Sequence, residues 1–257
     1  MILRGKSLRF LVLLGMVGGV SGWTPGEDLL RREYRDAGGA KLLYRLFRPK
    51  APAAGTKLPL VLFLHGAGER GDDNDAQLKH GVKYFLDHQG DYPCTVVAPQ
   101  VPKNEQWVAT PWGNLKHTIP EKPTEPMRLT IDLLGALLKE FPDIDPKRIY
   151  VTGLSMGGFG TWDILMRLPK KIAAAVPICG GADEAGAQLI AKVPVWVFHG
   201  GADDVVKTVR SRNIVAALKS AGGAPKYTEY PGVGHLSWDQ AYSESDLFPW
   251  LFKQRLP

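Results

Sequence analysis

The chain has 257 residues, of which 44% are hydrophobic and 23% are charged, and its formal net charge is +6. This length and this balance are typical of one large globular domain or two small ones, and they exclude a largely disordered chain. Three cations lie within residues 1–10, and without them the net charge falls to +3. Such a small surplus does not indicate a nucleic acid as a partner.

The amino-terminal segment has the layout of a secretory signal peptide, because basic residues precede the apolar run 10–20 and small residues follow it. An uncleaved membrane anchor is the alternative, but a run of about eleven residues is shorter than the roughly 20 that span a bilayer. We therefore expect residues 1–22 to be removed on export, a mature domain over 23–257, no stable membrane anchor, and a secreted or periplasmic location.

In chain order, the mature sequence begins with a predicted hairpin over residues 34–47, which has a Gly-Gly pair between two partly alternating arms. Short apolar runs and segments of helical spacing then alternate. The predicted strands are 60–64, 95–98, 148–152, 173–178 and 195–198, and the predicted helices are 75–88, 125–141, 158–168, 185–191 and 205–220. Strands that are apolar on both faces belong to a parallel sheet covered on both sides. The pattern predicts one α/β domain with a mostly parallel, doubly wound sheet that is entered through an antiparallel hairpin.

Two connections bear on function. The stretch 101–126 is rich in proline and shows little periodicity, and structureless loops of this length usually line a site. By contrast, the connection 179–193 is long enough for little more than one short helix. We therefore predict no large lid domain.

A glycine-rich turn presents a single serine in the stretch IYVTGLSMGGFGTW at 149–162. The pattern G-x-S-x-G at 153–157 stands between a predicted strand and a predicted helix, where glycines let the two elements approach closely around a strained serine. A serine hydroxyl becomes a good nucleophile only with a base beside it and a charge stabiliser facing it. Ser155 is therefore the candidate nucleophile, and a strand-to-helix corner without chemistry is the alternative.

The candidate base is His235, because it lies in a glycine-rich loop after the last extended run, 226–230. A loop at that point can reach a serine at the carboxyl edge of the sheet. His199 ends a predicted strand and is expected to support a turn, and the remaining four histidines carry no signal of catalysis.

A carboxylate should hold the base, and the stretch HGGADD offers Asp203 and Asp204 after a predicted strand. We favour Asp203 from its place in the turn, and we expect Asp204 to cap the helix 205–220. The resulting chain order, serine then aspartate then histidine, is the order expected for an α/β-hydrolase.

An oxyanion needs two preorganised N–H donors. The turn itself would supply Met156, and the small residues of the loop HGAGERG at 65–71 favour Ala67 as the second donor, with Gly68 as the alternative. We expect His65 to brace this loop and to take no part in proton transfer.

Three tryptophans, Trp107, Trp112 and Trp238, are candidates for an aromatic rim that would bind a sugar or an aryl group. Packing beneath the loops explains each of them equally well.

We predict no metal and no cofactor, because the sequence contains no H-E-x-x-H, no C-x-x-C and no G-x-x-x-x-G-K pattern. The two cysteines, Cys94 and Cys179, stand at the ends of predicted strands, where buried thiols are expected. The sequence leaves open whether they form a disulfide, and it leaves the oligomeric state open.

Six stretches occur in order along nearly all of the mature chain: HGAGERG, APQ, PWGN, IYVTGLSMGGFGTWD, FHGGADDVV and GVGHLSWDQAY. Together they resemble the α/β-hydrolase superfamily, and within it the secreted dienelactone-hydrolase and phospholipase/carboxylesterase-like esterases, often labelled predicted peptidases. The resemblance implies a metal-free serine hydrolase that forms an acyl-enzyme. An exported enzyme with an open site would suit short-chain, aryl or polysaccharide-linked carboxylic esters.

Two other functions remain open at this point. The same three side chains could serve a serine peptidase of the prolyl-oligopeptidase type, although the propeller domain of those relatives has no counterpart in this sequence. A non-catalytic binding protein on the same fold is disfavoured because the nucleophile, base, carboxylate and oxyanion loop are all present.

Overall fold

The computed structural model describes residues 29–49 and 55–257, so the predicted signal peptide at 1–22 lies outside the described residues. The strands are β1 (Leu29–Arg35), β2 (Lys41–Phe47), β3 (Leu58–Leu64), β4 (Thr95–Gln100), β5 (Ile144–Leu154), β6 (Ala174–Ile178), β7 (Trp196–Gly200) and β8 (Lys226–Tyr230). The helices are α1 (Val82–Asp87), α2 (Glu125–Glu140), α3 (Met156–Arg167), α4 (Ala187–Ile190), α5 (Val209–Ser220), α6 (Trp238–Tyr242) and α7 (Leu247–Lys253).

The eight strands of the described residues form one sheet in the order β1-β2-β4-β3-β5-β6-β7-β8. The hairpin strands β1 and β2 are antiparallel, and β2 is also antiparallel to β4. All other neighbouring strands run parallel. The predicted α/β fold, with a mostly parallel sheet entered through an antiparallel hairpin, is thereby confirmed.

Two apolar layers cover the two faces of the sheet, as the strand β3 illustrates. All seven of its residues are buried; Leu60 and Leu62 point into the layer that contains α2, α3 and α5, whereas Val61 and Phe63 point into the layer that contains α1, α6 and α7. Successive side chains of a strand point to opposite faces. A continuous apolar run is therefore what a doubly covered strand requires.

The helix α2 follows its sequence signals closely. The Thr124 hydroxyl accepts the N–H of Met127 at the amino-terminal end, and Pro126 occupies the first turn, where its missing N–H costs nothing. A threonine cap of this kind contributes about 1 kcal/mol. The helix ends at Glu140, before Pro142.

The predicted helices 75–88 and 205–220 are both shorter in the structure. The first is reduced to a 3₁₀ turn and α1, which are separated by Gly81 at a φ of +78°. The second begins at Val209, after a run of turns over 204–208 in which the carboxylate of Asp203 accepts the N–H groups of Val205 and Val206 at 2.9 Å each. Asp204 is exposed in this turn and does not cap α5, so that prediction was wrong.

The connection from β6 to β7 contains one 3₁₀ turn and the four-residue helix α4. It holds no lid domain, as the sequence predicted. In the ranges that the structure describes, no helix combines the length and the apolar character needed to cross a membrane.

Candidate active site

Ser155 stands on a strained turn between β5 and α3. Its backbone has φ +52° and ψ −117°, a conformation that residues with a Cβ rarely adopt and that costs on the order of 1–3 kcal/mol. It is the only residue of the stretch 151–160 that is not buried. Its N–H donates to the carbonyl of Ile178 at 2.9 Å, which ties the turn to the end of β6.

The segment after β3 packs directly against the start of α3. A Cβ added to Gly157 would lie 1.8 Å from the carbonyl oxygen of Leu64, so only glycine allows this approach. Met156 is the first residue of α3, and Ala67 is the first residue of the 3₁₀ turn that follows β3. N–H groups in the first turn of a helix have no acceptor within the helix. The two predicted oxyanion donors thus lie on adjoining segments.

His65 braces the segment after β3, as expected. Its Nδ1 lies 2.6 Å from the carbonyl of Gly66, and its Nε2 accepts the N–H of Val101 at 2.9 Å. Its own carbonyl accepts the indole N–H of Trp107 at 3.0 Å. Burial lowers the pKa of His65 to about 4, so the ring is neutral at pH 7.

A continuous hydrogen-bond chain joins the three residues predicted for catalysis. Nε2 of His235 lies 2.7 Å from Oγ of Ser155, and Nδ1 lies 2.7 Å from Oδ2 of Asp203. Because a carboxylate can only accept, Nδ1 carries the proton, and Nε2 is left to accept the hydroxyl proton of Ser155. This is the arrangement that turns a serine hydroxyl into a nucleophile.

Asp203 is buried and accepts from four donors. Its Oδ1 receives the N–H groups of Val205 and Val206, and its Oδ2 receives His235 and, at 3.1 Å, Nε2 of His199. Burial alone would raise the pKa of Asp203, but the hydrogen bonds from the two histidines outweigh it and hold this pKa below its ordinary range. The carboxylate therefore stays ionised at neutral pH.

The sequence prediction assigned His199 only to a turn, and the structure adds its contact with Asp203. The short spacing of the two residues within HGGAD was the available signal.

The three predicted rim tryptophans occupy different places. Trp107 is fully buried under the loop that it belongs to, and Trp238 is 6% exposed with its ring against the edge of His235. Neither has the open face that a rim requires, because both are packed as core residues. Trp112 is half-buried, with the guanidinium of Arg70 5.8 Å from its ring centre, and it keeps some exposed surface.

Charged side chains from the body of the protein hold the long loop at 101–126. Arg210 is fully buried and donates to the carbonyl of Asn114 and to His117. Asp183 accepts the N–H of Ile119 at 3.0 Å. These contacts hold the loop to the body of the protein although residues 101–124 contain no helix or strand.

Cys179, Asp203 and His235 form the group of potential metal ligands found within the described ranges, with ligand atoms within 4.8 Å of one another. A metal ion there would have to replace the hydrogen bond between Asp203 and His235. Both cysteines are buried and free, so Cys94 and Cys179 form no disulfide.

The sheet order, the strained serine after β5, and a histidine loop after β8 define the class of protein: the fold is that of an α/β-hydrolase. The chain belongs to the phospholipase/carboxylesterase family, whose sequence profile matches residues 51–245. Membership of this family makes it a carboxylic ester hydrolase, and it confirms the resemblance inferred from the motifs.

Individual relatives agree with this family. The chain is 27% identical over 210 residues to a probable carboxylesterase of Oryza sativa subsp. japonica, covering 76% of this chain and 78% of the relative. It is 29% identical over 175 residues to a bifunctional acetylxylan esterase/xylanase of Neocallimastix patriciarum, covering 68% of this chain and 23% of that protein.

The fold is also similar to that of a thermostable esterase of known crystal structure, with a TM-score of 0.82 and 41% sequence identity. The match covers 89% of this chain and 63% of that one, so the chain spans less than two thirds of the esterase it resembles.

Proposed function

We propose that the chain cleaves carboxylic esters through an acyl-enzyme formed on Ser155. The observation that carries this proposal is the continuous hydrogen-bond chain from Ser155 through His235 to Asp203. Each of the two links is 2.7 Å long, which is within the range required for proton transfer to a general base.

In the first half of the reaction, Oγ of Ser155 attacks the carbonyl carbon while its proton passes to Nε2 of His235. The negative charge that develops on the carbonyl oxygen is received by the N–H groups of Met156 and Ala67. His235 then gives its proton to the leaving alcohol, and the acyl group remains on Ser155. Asp203 stays ionised and stabilises the imidazolium of His235.

In the second half, His235 takes a proton from water, and the resulting nucleophile attacks the acyl-enzyme. Collapse of the second oxyanion returns the proton to Ser155 and releases the carboxylic acid. Water is the one reactant besides the ester that these two halves consume.

We further propose that the ester carries a short-chain, aryl or polysaccharide-linked acyl group. Two exposed apolar side chains stand next to the proposed machinery: Leu236, 71% exposed, follows His235, and Val205, 52% exposed, lies two residues after Asp203. Apolar surface at these places favours an apolar acyl or aryl group. The similarity to a bifunctional acetylxylan esterase/xylanase supports an acyl group on a polysaccharide.

The test is labelling with a fluorophosphonate, followed by peptide mapping and by turnover of p-nitrophenyl acyl esters, feruloyl esters and amino-acid anilides. We expect labelling at Ser155 and turnover of esters alone. Ser155→Ala should lose both, whereas Ser220→Ala, an exposed serine at the end of α5, should keep both.

Anilide turnover would assign the chain to the peptidases instead. Absence of labelling in a folded protein would assign the strained turn to the scaffold and refute the proposed function.

We also propose that the chain is exported after removal of residues 1–22. The basic residues, apolar run and small residues of this segment support export. Amino-terminal sequencing of protein recovered from outside the cytoplasm should begin near residue 23. A chain that retains its first residues in that fraction would contradict the proposal.

A further inference from the structure

The carboxylate of Asp203 has a second histidine, His199, on the oxygen that also serves His235. His199 is fully buried at the end of β7, and its Nε2 lies 3.1 Å from Oδ2 of Asp203 and 2.9 Å from the carbonyl of Val206. Both partners can only accept, so Nε2 carries the proton. Nδ1 then accepts the hydroxyl proton of Ser211 at 2.7 Å.

The two oxygens of Asp203 are therefore fixed in different ways. Backbone N–H groups hold Oδ1, and they belong to a turn that takes no part in proton transfer. On Oδ2, the hydrogen bond from His235 changes strength during each cycle, because the charge of that ring changes. The side-chain torsion that rotates an aspartate carboxylate has only weak preferences, so hydrogen bonds decide its orientation. Only His199 gives Oδ2 a constant donor.

We propose that His199 is a positioning residue for the reaction: it holds the carboxylate of Asp203 in the orientation that serves His235, and Ser211 fixes the tautomer in which His199 can do so. The inference rests on the proposed function, since it assigns Asp203 and His235 their roles in ester hydrolysis. His199 touches neither the serine nor the substrate.

The titratable groups around this carboxylate come from several elements. His235 approaches from the loop after β8, His199 from β7, and the buried thiol of Cys179 from the end of β6, with its sulfur within 4.8 Å of the carboxylate. Glu229 on β8 is the register partner of His199. A carboxylate that loses one donor holds the proton shared with its remaining partner more tightly. Protonation of the Asp203–His235 pair should then occur at higher pH.

The test compares His199→Leu, His199→Gln and Ser211→Ala with the wild type, with p-nitrophenyl acetate as substrate. We expect His199→Leu to lower kcat by about tenfold to a hundredfold, taking as a guide the effect of changing residues that orient metal ligands. KM should stay within about twofold, and the acidic limb of the kcat/KM profile should move to higher pH. His199→Gln can place an amide N–H near the position of Nε2, and it should restore kcat and the acidic limb to near the wild-type values.

A matched control separates positioning from the loss of a buried polar group. Thr130→Val removes a fully buried hydroxyl that bonds only within α2, to the carbonyl of Pro126. Thr130→Val should leave kcat and the pH profile unchanged. Ser211→Ala should lower kcat by about threefold to tenfold, and it should move the acidic limb to higher pH, as His199→Leu does.

Several results would overturn the inference. One is a wild-type kcat and pH profile in His199→Leu. Another is a change of KM in His199→Leu with kcat unchanged, and a third is an equal decrease of kcat in His199→Leu and His199→Gln. If His199→Leu does not fold, unchanged kinetics in Ser211→Ala would overturn it. The wild type tests the proposed function separately. If the wild type is active and labelled by the fluorophosphonate and the variants have the same kinetics, only the positioning role of His199 is refuted. A wild type without turnover or labelling refutes both.

Discussion

Asp203 and Asp204 are neighbours in sequence with opposite surroundings. Asp203 is buried with four donors on its carboxylate, whereas Asp204 is exposed to solvent. A carboxylate surrounded by N–H donors in a region of low dielectric interacts strongly with a charge next to it, and an exposed carboxylate is screened by water. The two neighbouring positions therefore provide a matched test, since only the carboxylate of Asp203 contacts His235.

Asp203→Asn should lower kcat for p-nitrophenyl acetate by about a thousandfold or more, because an amide favours the wrong tautomer of His235. Asp204→Asn should stay within about twofold of the wild type. Steady-state kinetics with circular dichroism as a check of folding would measure both. Similar activity in the two variants would mean that Asp203 is not the partner of His235 during turnover.

The sequence was sufficient to bring Ser155, Asp203 and His235 together in one hypothesis, because each stands in a short motif and their order in the chain is diagnostic. Sequence was insufficient for His199 and Ser211. Their contact joins a strand end to a helix twelve residues later, and no local pattern specifies where two such side chains meet. The same limit applies to Trp107, whose burial depends on how its loop folds back over the sheet.

Among the elements, the contact between β3 and α3 is the one on which the site depends most. Leu64 and Gly157 approach so closely that a Cβ at Gly157 would overlap the carbonyl oxygen of Leu64, at 1.8 Å. Any larger residue would push the start of α3 away from the segment that carries Ala67. The two oxyanion donors would then separate.

Gly157→Ala should destabilise the protein by about 3 kcal/mol or more and abolish ester turnover, because neither backbone can move without breaking the sheet. Gly135→Ala is the matched control: this glycine lies inside α2, and an added Cβ there meets no atom within 4 Å. It should stabilise the protein by roughly 0.5–1 kcal/mol, the helix preference of alanine over glycine. Urea denaturation measures both effects, and equal stability of the two variants would contradict the predicted overlap.

The helix α5 contributes one buried side chain, Arg210, to the contacts that hold the loop at 101–126. Arg210 at the start of this helix is fully buried, and within the described residues it has no ion-pair partner; burial holds its pKa below the ordinary value. Its donors go to Asn114, His117 and the carbonyl of Ala182. The guanidinium of Arg210 therefore binds hydrogen-bond acceptors of the loop and not a carboxylate.

Arg210→Met should release the loop, because those acceptors lose their donor while the apolar part of the side chain is kept. We expect trypsin to cleave after Lys116, an exposed residue of this loop, about tenfold faster than in the wild type. The control is Arg212→Met on the same helix, an exposed arginine that pairs with Glu229. Equal cleavage rates in the two variants would show that Arg210 does not order the loop.

The sequence predicted the parallel strands and α2 well, because their apolar periodicity and caps are local. It placed the start of α5 four residues too early. Residues 205–208 have a sequence compatible with a helix, but in the structure they form turns, and the first N–H groups of this segment are bound by the carboxylate of Asp203.

The stability of the whole molecule depends on pH because of two histidines, the buried His65 and the half-buried His117. Burial lowers the pKa of His65 and of His117 to about 4 each, and for His117 the nearby charge of Arg210 acts in the same direction. In the unfolded chain a histidine has a pKa of about 6.5. Between these values the unfolded state binds protons that the folded state does not, so stability falls as the pH falls.

We expect the free energy of unfolding to be constant from pH 7 to pH 8 and to decrease from about pH 6.5 to pH 4, with His65 alone accounting for about 3 kcal/mol. His65→Gln should be less stable than the wild type at pH 7 but should show a smaller loss toward pH 4. Chemical denaturation at several pH values gives the slopes. Equal slopes in the two proteins would exclude His65 as a source of the dependence.

The two free cysteines lie at opposite ends of the parallel strands: Cys94 comes before the amino end of β4, and Cys179 follows the carboxyl end of β6. Both are fully buried. Burial raises the pKa of Cys94 to about 12 and also raises that of Cys179. Only an exposed thiolate reacts readily with an aromatic disulfide reagent, so each thiol reacts only while its own end of the strands is locally open.

The modification rate of each thiol therefore reports how often the structure around it opens. Cys179 reports on the region next to Ser155, and Cys94 reports on the opposite end of the parallel strands. A covalent adduct on Ser155 should slow the modification of Cys179 and leave that of Cys94 unchanged, as mass spectrometry of each thiol against time would reveal. Equal slowing of both would mean that the two ends open only together, in a single cooperative event.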